Sequence, residues 1–108
     1  MKKVIRDGKV AVLVSYGYGA GFSTWHYGTK EENETLMFSP EIVEMLESGK
    51  KNEIDENWIE YNLGIKDVYT GGVIGLDIAW LREGQPFYIY EYDGAESIVT
   101  KDFLTYVA

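Results

Sequence analysis

The run Val10-Ala11-Val12-Leu13-Val14 constrains this chain more than any other stretch. Consecutive apolar residues, with β-branched valines at alternate positions, read as a strand buried on both faces, since a strand with one wet face would alternate apolar and polar. The strand leads directly into Ser15-Tyr16-Gly17-Tyr18-Gly19-Ala20-Gly21-Phe22-Ser23-Thr24-Trp25-His26. Three glycines, three aliphatic hydroxyls, four aromatic rings and the only histidine fall within those twelve residues. A rigid strand that delivers a glycine-rich, aromatic, hydrogen-bonding loop is how binding sites are usually built.

The elements around this unit follow from local signals. Asp7-Gly8 between Met1–Arg6 and Lys9–Val14 predicts an opening hairpin. The stretch from Gly28 to Glu34 is polar and aperiodic and reads as a surface loop leading to Leu36-Met37-Phe38. Ser39-Pro40-Glu41 then starts a helix over Pro40–Ser48: the serine caps, the proline suits the first turn, Phe38 and Val43 form a staple, and Gly49 is the stop. Asp55 caps a second helix, Glu56–Leu63, which Gly64 ends.

Both helices are too short to stand alone, so a sheet must cover their apolar faces. Leu76, Ile78 and Trp80 alternate with Asp77, Ala79 and Leu81, the period of a strand. Arg82-Glu83-Gly84-Gln85-Pro86 is read as a turn into a second strand, Phe87–Tyr92, giving a hairpin. Asp93-Gly94-Ala95-Glu96 turns the chain again before Ser97–Thr100, and Phe103–Val107 reads as a terminal strand. The expected fold is α+β: two short helices on a mostly antiparallel sheet, in a single domain over residues 1–108, a length that suits one core. The tyrosines Tyr88, Tyr90 and Tyr92 share one sheet face. They are core if the helices cover that face, and a ligand or subunit surface if the helices cover Phe87 and Ile89 instead.

Composition limits the chemistry. With 45% hydrophobic and 26% charged residues the chain is globular. No run approaches a membrane span or a signal peptide, and there is no cysteine, so a cytoplasmic protein without disulfides is expected. A net charge of -8 disfavours binding of nucleic-acid duplexes. It does less against one small anion held by backbone amides in a glycine-rich nest.

Gly17-Tyr18-Gly19-Ala20-Gly21 is superficially similar to phosphate loops, yet no helix pattern follows it and the Lys-Ser or Lys-Thr of a nucleotide-hydrolysing loop is absent. A plain chain reversal accounts for the glycines; the rings of Tyr16, Tyr18, Phe22 and Trp25 are what a plain reversal does not require. Rings stack on bases, while hydroxyls and amides hold ribose or phosphate. The candidate ligand contacts are therefore Ser15, Tyr16, Gly17, Tyr18, Gly19, Gly21, Phe22, Ser23, Thr24, Trp25 and His26, with Trp25 the ring most suited to packing inside. Arg82 is the basic residue assigned to a phosphate, and Lys66 and Arg6 also fall near strand ends. His26 is the one imidazole available as a catalytic base, but sequence neighbours do not make a triad. Asp77, Glu91, Asp93 and Glu96 show no cation-binding pattern and read as solvated turn carboxylates, so neither a metal nor a cofactor is expected.

The strand and loop, the start Phe38-Ser39-Pro40-Glu41-Ile42-Val43 and the late Glu91-Tyr92-Asp93-Gly94-Ala95-Glu96-Ser97 together resemble a group of small bacteriophage-encoded proteins. The resemblance covers nearly the whole chain. Phage proteins of this size include oligomeric sponges that sequester nucleotide signals of bacterial immunity. The resemblance thus implies a homo-oligomeric anti-defence protein in the host cytoplasm that captures a nucleotide-derived signal without turnover, in a pocket between subunits. Two alternatives stand beside it: a small nucleotide hydrolase or phosphodiesterase using His26, and an acidic protein that inhibits a host factor.

Overall fold

The computed structural model describes residues 2–100 and 106–108. Strands β1 (Ile5–Arg6) and β2 (Lys9–Ser15) form the expected hairpin. Asp7 and Gly8 both take positive φ, 53° and 76°, the handedness that a two-residue turn needs to match strand twist.

Every residue from Val10 to Ser15 is buried, because β2 divides two cores. Ala11 and Leu13 point into a helical layer with Phe22, Leu36, Ile42, Val43 and Ile59. Val10, Val12 and Val14 point the other way, against Met37, Phe38 and Phe87. The aperiodic apolar run is the signature of this two-sided burial.

The architecture is the expected α+β arrangement, with helices packed on antiparallel sheets, but the strand pairing differs from expectation. Strand β3 (Leu76–Arg82) pairs along the whole of β2, from Lys9↔Arg82 to Ser15↔Leu76. Strand β4 (Pro86–Tyr92) belongs to a second sheet, between β5 (Ala95–Val99) and the two-residue β6 (Tyr106–Val107). The expected hairpin of Leu76–Arg82 with Phe87–Tyr92 therefore does not form. Instead Gly84 donates to the Ala108 carbonyl at 2.7 Å and the Ala108 amide to Gln85 at 3.0 Å, and the connection carries the chain from one sheet to the other. The two sheets face each other across the core that holds Phe87. Of the expected terminal strand, Tyr106 and Val107 are paired, and 103–105 lie outside the described residues.

A second correction concerns the polar stretch after the loop. Lys30–Phe38 is a helix, α1, which takes in Lys30–Glu34 of the stretch Gly28–Glu34 expected as a surface loop. Thr29 caps it: the Thr29 hydroxyl accepts from the Glu32 amide at 3.0 Å, and the Thr29 amide donates back to the Glu32 carboxylate at 3.3 Å. This reciprocal box satisfies the first orphan amides. The apolar side chains are gathered in the last turn, where Leu36 faces the helical layer and Met37 and Phe38 face the second sheet. That arrangement gives no 3.6-residue stripe for a pattern to show.

Helices α2 (Pro40–Glu47) and α3 (Glu56–Leu63) form where expected. Ser39 and Asp55 cap them, accepting from Ile42 at 3.1 Å and Trp58 at 2.8 Å. Gly49 and Gly64 take the left-handed turn at their ends. Arg6 ties β1 to α2 through a two-point ion pair with Glu47, and its guanidinium lies 5.4 Å from the Trp80 ring. On β4, Phe87 is fully buried while Tyr90 and Tyr92 are exposed, so the tyrosine face looks outward. None of the helices described is long and apolar enough to cross a membrane.

Candidate functional site

The loop that leaves β2 is built on a carboxylate. Glu96, on β5, is 2% exposed and sits beneath it. Glu96 Oε1 accepts from the Ser15 amide at 2.9 Å, and Oε2 accepts from the amides of Phe22 at 2.7 Å and Thr24 at 3.1 Å and from the Thr24 hydroxyl. The amides on either side of the glycine segment thus hold the protein's own anion, and within that segment the Gly19 amide donates to the Asp93 carbonyl. Hydrogen bonds to an ionised acceptor contribute about 1.5–3 kcal/mol each, which lets a carboxylate remain buried here with no cation paired to it among the described residues.

This corrects the reading of Glu96 as a solvated turn residue. The period-two pattern of β5 places it on the same face as Ile98, a signal masked by the turn residues before it. Glu91 accepts from the Gly94 amide at 2.6 Å, and Asp77 from the Ile78 amide at 2.8 Å. Among the described residues no cluster of acidic or imidazole groups is placed to hold a metal.

Neighbouring backbone packs closely on the loop. The Ser15 hydroxyl donates to the Gly72 carbonyl at 2.7 Å, the Tyr16 amide to Gly75 at 3.1 Å and the Gly19 amide to Asp93 at 2.8 Å. A β-carbon at Gly72 or Gly94 would run into the backbone of residues 19–21. Gly72 and Gly94 thus serve close chain approach, while Gly19 within the loop takes a positive φ of 99°.

The structure therefore divides the residues expected to form one pocket. Ser15, Gly21, Phe22 and Ser23 are buried scaffold, and Thr24 is half-buried on Glu96. Tyr16, Gly17, Tyr18 and Gly19 form an exposed rim, with Tyr18 80% exposed. Burial and the nearby Asp77 carboxylate raise the Tyr16 phenol above its ordinary value. Arg82 lies at the other end of the β2–β3 ladder, about 20 Å from Leu76 along the strand. It bonds Gln85 there and does not join the loop.

Trp25 and His26 do converge on a cleft, of about 740 Å³, which they share with Tyr27, Glu32 and the segment from Gly64 to Tyr69. Trp25 is half-buried rather than inside, and its ring meets Tyr69 at 5.6 Å between centroids with an interplanar angle of 31°. Each ring is seated on a glycine. A β-carbon at Gly21 would fall 2.7 Å from Trp25 Cδ1, and one at Gly71 would fall 2.5 Å from Tyr69 Cζ. The absence of a β-carbon at Gly21 and Gly71 leaves room for the two rings to meet at the cleft.

His26 is 8% exposed, and its Nε2 lies 2.9 Å from Glu32 Oε1 in the first turn of α1. The ring's hydrogen bond, followed by that of the Thr29 amide, holds the Glu32 carboxyl below the usual glutamate range. Glu32 thus caps α1 and fixes the imidazole together.

The far wall is anchored by Ile65 and Val68, both buried, which leaves Lys66, Asp67 and Tyr69 facing outward. Asp67 takes φ 60°, a left-handed conformation that aspartate tolerates better than most residues. Tyr27, Glu32, Asp67 and Tyr69 were not among the residues singled out from sequence. The one local signal was an exposed aromatic and charged stretch between the Gly64 helix stop and Gly71-Gly72.

Comparison with protein-family models, with curated proteins and with solved structures finds no match, so the chemistry of the site is carried by its own geometry.

Proposed function

We propose that this protein is a capture module that holds one small planar ligand on the Trp25–Tyr69 platform without turning it over. The observation that carries this reading is the seating of both rings on Gly21 and Gly71 within a cleft of ligand size. Stacking on such a platform contributes about 1–3 kcal/mol per base. Rings already packed on each other have less freedom left to lose on binding.

A nucleotide-like ligand fits this chemistry: the base stacks, and Lys66 at the cleft wall meets a phosphate in the role first assigned to Arg82. The resemblance to phage proteins supplies the setting, capture of a nucleotide-derived immune signal in the cytoplasm of a host bacterium. Capture is favoured over hydrolysis because, with Nε2 on Glu32, the nitrogen left to act as a base is Nδ1, and Nδ1 is buried away from the cleft surface.

The test is to incubate the protein with mononucleotides and cyclic nucleotides, remove excess, denature by heat and identify what is released. Intact ligand, lost on Trp25→Ala, is the expected result. A chemically altered ligand would replace capture with hydrolysis, and no retention of any planar compound would remove both.

A further inference from the structure

We infer that the group captured on the Trp25–Tyr69 platform is a planar organic cation. The inference rests on the capture reading and assigns the charge of its ligand. An aromatic face presents the negative side of its quadrupole, and a cation placed over it is attracted, most strongly over tryptophan. Two carboxylates line the same cleft, Asp67 and the Glu32 that accepts from the His26 imidazole, against one ammonium, Lys66. The Glu32 carboxyl is held ionised by the bonds it accepts from His26 and Thr29. The chain as a whole carries -8, so its field gathers cations and repels multiply charged anions.

A ligand of mixed charge satisfies every group present: a positively charged heterocycle over the rings, flanked by Glu32 and Asp67, with a single anionic group reaching Lys66. A nucleotide with an N-alkylated, cationic base is of this class. An ordinary nucleoside triphosphate is not, since it brings several negative charges to a cleft with one lysine.

Two probes with the same ring separate charge from stacking. Nicotinamide and 1-methylnicotinamide differ by one methyl group and one positive charge, and their binding is measured by calorimetry or ligand-observed NMR beside adenosine. The cation is expected to bind at least about fivefold tighter than its neutral counterpart. The preference should shrink in Glu32→Gln and Asp67→Asn. Both substitutions remove charge while keeping the local structure, because glutamine also serves the capping box and asparagine also tolerates left-handed φ. Equal binding of the two probes, or a preference unchanged in both variants, would overturn the inference while leaving capture intact. Failure of all three compounds to bind would overturn capture and the inference together.

Discussion

Glu96 accepts a hydrogen bond of 2.7 Å from the amide of Phe22, although 74 positions separate them in the chain. Through this contact a strand of the second sheet fixes the loop that begins at the end of β2, and so sets where Trp25 emerges. Scaffold and site are joined at one buried carboxylate.

Removing that carboxylate should be costly. Glu96→Ala leaves the amides of Ser15, Phe22 and Thr24 without their acceptor, and each orphaned donor costs about 1–3 kcal/mol. A loss of about 3 kcal/mol or more is expected in urea unfolding, with faster amide exchange at Phe22 and Thr24. A variant as stable as the parent would show that the carboxylate does not hold the loop.

Acid should weaken the protein through Glu32 and Glu47. Hydrogen bonds, from His26 to the first and from Arg6 to the second, lower both carboxyl groups in the folded state. Each therefore binds its proton more weakly folded than unfolded. Their contribution is whole above the ordinary glutamate value of about 4.3 and is lost as pH falls through the lower folded value. Unfolding midpoints measured from pH 7 to pH 3 should drop in that window, and drop less in Glu32→Gln and Glu47→Gln.

The platform should fail when either seat is filled. Gly71→Ala presses on Tyr69 alone, whereas Gly21→Ala presses on Trp25 and also on the Thr24 hydroxyl at Glu96; either should separate the rings and weaken binding of a stacked ligand, by about five- to a hundredfold if one stack is lost. Near-ultraviolet circular dichroism should report the displaced ring without ligand. Unchanged spectra and affinity would count against fixed seating.

The first helix should depend on Thr29. Thr29→Ala removes the acceptor for the Glu32 amide and should destabilise by about 1 kcal/mol. Amide exchange should rise first at residues 30–33. It should also loosen the His26–Glu32 contact, visible as a shift of the imidazole NMR signals.

Much of the scaffold was legible because its signals are local. Ser39-Pro40 and Asp55 cap α2 and α3, Gly49 and Gly64 stop them, and Asp7-Gly8 turns β1 into β2, each within one turn of chain. The α1 helix escaped notice because its stabilising groups are a capping box at one end and a buried final turn at the other. At the site, Trp25 and His26 were recognised as part of a residue-rich loop, whereas Tyr69 and Asp67 come from a segment about forty positions later. Ser15 and Phe22, expected at the ligand, lie buried beneath the loop.

The amino-acid sequence by itself determined the central strand, the capped ends of α2 and α3 and the α+β class, since apolar periodicity and terminal hydrogen bonding act over a few residues. Only the tertiary structure decided that β3 pairs with β2 rather than β4, that the loop amides enclose Glu96, and that Trp25 meets Tyr69. Alternating strands offer the same edge to any partner, and a carboxylate or ring has the same local pattern whether it ends in water or in a core. Which outcome occurs is set by how two layers close over β2, through contacts between residues far apart in the chain.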